Sequence, residues 1–213
     1  MPYQTSFVYR YVEKTIHQAI VQKVARIVST LSAAHLLMHH GFVQEQACLQ
    51  RILQELNEDV YFLSIATINN DVTALHKSYL EAFYEEEFDA NTPLESTQKR
   101  IMIPRQKIQA YLASVGGSGL DRSTGNNLLK TLSKTYSGFV HGASPQIMEM
   151  YGGDPPKFHV YGLLGTSRYQ EHRDDLWNYF YRSILAFGFA AKAFGDQRLF
   201  DQISAFLYKF EKN

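Results

Sequence analysis

Within KTLSKTYSGFVHG (130–142), Lys130, Lys134, Ser137 and His141 recur at helical spacing, so one column of a helix carries two ammonium groups, a hydroxyl and an imidazole. Leu128, Leu132 and Phe139 lie on the opposite side. Such a column suits an anion, a phosphate above all. An imidazole titrates near neutrality, so His141 can take a proton from a hydroxyl and return one to a leaving oxygen. Lys134 and Lys130 can hold a phosphate and stabilise charge that develops in its transition state. Ser137, one turn before His141, can reach the ring or a phosphate oxygen. Attack of a ribose 2′-hydroxyl on its adjacent phosphate needs little more, and neither metal nor cofactor. The same residues have a plainer reading: the lysines solvate one face, and His-Gly is what capping a helix C-terminus produces.

Helices must position this column, because the chain reads as helical almost throughout. Val8, Val12, Ile16, Ile20, Val24, Ile27, Leu31 and Met38 predict a long first helix ending at His39-His40-Gly41. A second helix is predicted from about Gln44 to Thr67, and a third, capped by Asp71, runs through Phe83. Irregular segments are expected near 85–104, 116–123 and 151–165, with a short helix after Pro104. Ser123 or Thr124 is expected to cap the helix that carries His141. KFHVYGLL (157–164) reads as an extended piece without an evident partner. Two last helices, about Gln170–Phe194 and Arg198–Phe210, complete a single all-α domain over 1–213. Ala186, Gly188, Ala190, Ala191 and Ala193 permit close helix–helix approach.

Composition narrows the function classes. Lys plus Arg balances Asp plus Glu at 21 each, so no global field draws the chain to nucleic acid or anionic lipid, and any phosphate-binding surface is local. Cys48 is the one cysteine, which rules out an intrachain disulfide and fits a reducing cytoplasm. No apolar run approaches membrane-spanning length. His35, His39 and His40 include an i, i+4 pair, but no acid or cysteine accompanies them at ligand spacing. GGSGLDRSTGNN (116–127) lacks the Gly-Lys-Ser/Thr ending of a phosphate loop and no strand precedes it, so it reads first as a mobile linker, with Arg122 and Ser123 as candidate phosphate contacts. Arg51 and Glu55 sit one turn apart on the second helix. They form either an exposed intrahelical pair or, if the His141 helix covers that face, part of a buried polar network. The aromatic cluster Trp177, Tyr179, Phe180 and Tyr181 serves either a subunit interface or core packing.

The pieces AAHLLMHHGFVQEQACLQRILQE (33–55), with Arg51 and Glu55, and YSGFVHGAS (136–144) resemble HEPN-domain proteins, in particular an uncharacterised bacterial branch of HEPN-like bundles. The resemblance implies a bundle of about six to seven helices with long antiparallel members, and a homodimer. Many HEPN proteins are metal-independent endoribonucleases, often toxins or antiviral effectors. Their site is an arginine followed, after four to six residues, by a histidine. By that resemblance His141 is the general acid/base and Lys134 stands at the arginine position. Ser137 and Arg51 assist, Lys130 and Arg122 bind phosphate, and Glu55 and Tyr136 support them. RNA or a nucleotide is then the partner, alongside a protein such as an antitoxin. Lysine keeps the charge of arginine but loses its planar fork. A catalytically inactive module that binds a protein or nucleotide is therefore the alternative.

Overall fold

The computed structural model describes residues 9–90, 92, 94–99, 101–115 and 122–212, with the backbone alone at 122, 123, 125, 126, 128, 129, 132 and 133. These residues form an all-α bundle of eight helices and one minimal hairpin. The helices are α1 (Ile16–His39), α2 (Val43–Ile68), α3 (Ala74–Tyr84), α4 (Arg105–Val115), α5 (Arg122–Val140), α6 (Ser144–Met148), α7 (Ser167–Ala193) and α8 (Gln197–Phe210). The count exceeds the expected six to seven chiefly because the turn after His141 winds into α6.

The first helix begins later than its hydrophobic period implies. Thr15 and Gln18 form a capping box, in which each side chain accepts the other's backbone N–H, and this fixes the start at Ile16. Val12 lies outside the helix and is 92% exposed; Val8 falls outside the described residues. At the other end Gly41 adopts φ +80°, as its expected capping role requires. Leu163 N–H donates to the Gly41 carbonyl at 2.8 Å, so an added Cβ would collide with that backbone. The tight turn makes α1 and α2 an antiparallel pair.

Three local expectations are corrected. Thr73, not Asp71, caps α3, because its side chain meets the helix N-terminus while His76 Nδ1 accepts the Thr73 N–H at 3.1 Å. Ser123 and Thr124 lie inside α5 rather than before it. KFHVYGLL does find a partner: β2 (Lys157–Phe158) pairs antiparallel with β1 (Tyr151–Gly152) across the Pro155-Pro156 turn. The segment 116–121 lies outside the described residues.

The central element is α2, against which α1, α4, α5 and α7 all pack. Its buried apolar residues Val43, Ala47, Leu53, Val60, Phe62 and Leu63 join Ile20 and Ile27 of α1 and Leu176 and Ala186 of α7 in the core. Surrounded on most sides, α2 also buries polar residues, including Gln46, Gln50, Asn57, Glu58 and Asp59. The small residues of α7 are buried, and Gly188 brings that helix close to Phe200 and Ile203 of α8. No described helix is long and apolar enough to cross a membrane.

Candidate functional site

Helix α5 is tied down from its inner side. Tyr136 OH donates to Asp175 Oδ2 at 2.9 Å, and its ring meets Tyr179 edge-on at 5.7 Å. Phe139 packs edge-on against the His172 ring at 5.5 Å. Gly142, at φ +60°, ends the helix with Ala143 N–H donating to the Gly138 carbonyl. The chain then folds back, so that Gln146 of α6 lies over Gly138. The Gln146 carbonyl accepts from Gln44 Nε2 of α2 at 2.8 Å, and Glu149 pairs with His172 Nε2 at 3.1 Å. The last turn of α5 is thereby fixed to α2, α6 and α7.

On the outer side Lys130, Lys134 and His141 are exposed and Ser137 is half-buried. Among the described residues none of the three basic side chains has an ion-pair partner, and no carboxylate enters the column. The column is thus free to meet an anion. Its reach is graded: His141 and Ser137 are one turn apart, whereas Lys134 is two turns from His141, roughly 10 Å along the axis. From one copy, Lys134 and His141 therefore address neighbouring phosphates of a strand more readily than a single phosphate.

The remaining sequence candidates fall elsewhere. Tyr136 does not line the column but anchors α5 from behind: it is buried against α7 with its hydroxyl committed to Asp175, and burial, reinforced by Tyr179 and Asp175, pushes its ionisation far above the usual tyrosine range. Arg51 pairs with Glu55 at 2.7 Å and is partly covered. Among the described residues no hydrogen bond or ion pair joins it to Lys134, Ser137 or His141. The structure thus lies between the two alternatives for this pair. Arg122 opens α5, and its side chain is outside the described residues. Cys48 is half-buried, and burial followed by the charge of Glu45 raises its thiol pKa, the opposite of what a nucleophile needs. No group of three His, Cys, Asp or Glu among the described residues is placed to hold a metal.

A second polar centre escaped the sequence reading. Asp59 of α2 accepts from Lys23 Nζ of α1 at 2.8 Å and from Arg105 of α4. Its neighbour Glu58 accepts from the same guanidinium at 2.6 Å and from Gln54 at 3.0 Å. Burial opposes the Arg105 charge, but Asp59 and Glu58 outweigh it and hold the guanidinium above its ordinary value. Tyr79 is likewise pushed up, by burial and then by Asp59. A cleft of about 230 Å³ opens beside these groups. Every charge in the quartet already has an opposite partner, so it acts as a tie between α1, α2 and α4. A signal was present in the adjacent acids Glu58-Asp59 inside an apolar helix. Their partners, 36 and 47 residues away, could not be read from spacing.

Comparison with protein-family models, curated proteins and solved structures finds no match to this chain.

Proposed function

We propose that the outer face of α5 binds the phosphates of an RNA strand and that the chain is a metal-independent, HEPN-like endoribonuclease. The observation that carries this reading is the column of exposed Lys130, Lys134 and His141 with half-buried Ser137, without an acidic partner among the described residues and held from behind. His141 takes the 2′-hydroxyl proton as the 2′-oxygen bonds to the adjacent phosphorus. The 5′-oxygen then leaves with a proton returned by the imidazolium. One product ends in a 2′,3′-cyclic phosphate and the other in a 5′-hydroxyl. Lys134 and Lys130 neutralise neighbouring phosphates, and Ser137 orients the ring or a phosphate oxygen. A homodimer, a cytoplasmic setting and a toxin or phage-defence role, with an antitoxin as protein partner, belong to the same reading.

The test is incubation of the purified protein with mixed RNAs in chelator beside His141→Ala. Cleavage by the native chain with a loss of about 10²–10⁴-fold in the variant supports the reading. Equal cleavage by both, or none by either, contradicts it.

One observation favours the catalytically silent alternative: the column lies on an open face, and capping by Gly142 accounts for the His-Gly pair without chemistry. Inorganic phosphate or a nucleotide would then raise the melting temperature through the lysines while RNA stays intact.

A further inference from the structure

The gap between Lys134 and His141 on α5 is not empty. Gly138 lies there, four residues after Lys134 and three before His141, and so beside both on the helix surface. The His141 N–H still donates to the Ser137 carbonyl at 3.1 Å, which carries the helical spacing through to the imidazole. A Cβ built on Gly138 would overlap Cδ and Oε1 of Gln146 and lie 2.7 Å from its Nε2. The missing side chain is therefore the seat of a planar amide that arrives from α6. Its donor and its acceptor rest on the column, between the lysine and the histidine.

The amide is held from behind. The Gln146 carbonyl accepts from Gln44 Nε2 of α2 at 2.8 Å, and the Glu149–His172 pair at 3.1 Å ties the end of α6 to α7. Among the described residues the Gln146 amide itself makes no hydrogen bond, and the residue is half-buried rather than sealed in the core.

We propose that Gln146 is a phosphate-binding residue of the α5 column. Its Nε2 donates to a non-bridging oxygen of the phosphate that Ser137 and His141 meet, while Lys134 serves the next phosphate along the strand. This inference rests on the reading of α5 as an RNA-binding face and adds a neutral donor to it. An amide whose backbone is already fixed loses little freedom on meeting the anion, and a hydrogen bond to a charged oxygen is a strong one. The groups closest to the phosphate are then a hydroxyl, an amide and an imidazole, with an ammonium one turn away. That set suits the single negative charge of a phosphodiester.

The full chain, labelled with nitrogen-15, is titrated with hexauridylate carrying 2′-O-methyl groups, which cannot undergo 2′-hydroxyl attack. The side-chain NH₂ signals of Gln146 are assigned by their loss in Gln146→Met, which keeps the length of the side chain. Gly138→Ala occupies the seat and displaces the amide, and alanine favours the helix, so α5 stays wound. In the native chain the Gln146 NH₂ and His141 ring signals shift together with one dissociation constant. Each substitution weakens binding by about tenfold while the helical circular dichroism is kept. A His141 signal that shifts while the Gln146 amide stays still, with both variants binding as the native chain does, overturns this inference and leaves the function proposed for α5 standing. No shift at either residue overturns both.

Discussion

At the scale of single residues, what separates the α5 column from the Glu58–Asp59 centre is whether charges are already partnered. Lys130, Lys134 and His141 face solvent with no carboxylate paired to them among the described residues, whereas Arg105 and Lys23 are spent on Asp59 and Glu58. Removing Arg105 leaves Glu58 without a cation and Asp59 with Lys23 alone. Arg105→Ala should therefore lower stability by about 3–5 kcal/mol in urea unfolding. A loss below about 1 kcal/mol would show the quartet to be dispensable. His76 offers a pH-dependent counterpart. Its ring is buried, stacked 4.0 Å from Phe62, with Nδ1 accepting from Thr73 and Nε2 facing the Phe62 carbonyl. Burial lowers its pKa below the ordinary 6.5. Below about pH 6.5 the unfolded chain then binds the proton more readily than the folded one. The contribution of His76 is complete above that pH and is lost as pH falls toward the depressed folded value. Native protein should lose stability between pH 7 and 5 more steeply than His76→Gln; parallel slopes would contradict this.

At the scale of elements, α2 is unusual in what it buries without a partner. Among the described residues, both side-chain polar atoms of Gln46 and of Gln50 are buried without a hydrogen-bond partner, as is Asn57 Oδ1. A desolvated amide of this kind costs stability, so Gln50→Met should raise it by about 1–2 kcal/mol. A clear destabilisation would mean that the amide is satisfied in solution. The elements themselves were largely legible. Hydrophobic period and capping residues placed α2, α4, α7 and α8 within a few residues, and the His141-Gly142 end of α5 is where the turn falls. Errors arose where two residues compete for one role, as Asp71 and Thr73 do for the cap of α3. The two-residue strands β1 and β2 are too short to show an alternation. How Tyr136 acts was not legible, because proximity in sequence to Ser137 does not reveal that its ring turns toward α7. The quartet was hidden for a different reason: it assembles Lys23, Glu58, Asp59 and Arg105 from three helices, and only packing brings them together.

At the scale of the whole molecule, the arrangement is a central helix locked by charge, with the candidate site on the outer face of a neighbour. A neutral chain with a local basic column should bind RNA through few phosphates. If Lys130 and Lys134 supply two contacts, the logarithm of affinity should fall with the logarithm of salt with a slope near −1.4, taking about −0.7 per contact. Lys130→Ala and Lys134→Ala should each reduce the slope by about 0.7. A slope unaffected by both substitutions would place binding elsewhere on the surface. The central claim concerns His141, and the products test it most directly. Single-turnover cleavage of an end-labelled RNA in chelator, with both new ends identified, should give a 2′,3′-cyclic phosphate and a 5′-hydroxyl. His141→Ala should yield those ends at least about 100-fold more slowly while binding RNA as tightly as the native chain. No cleavage by the native chain, or the same ends at the same rate from the variant, would contradict the account.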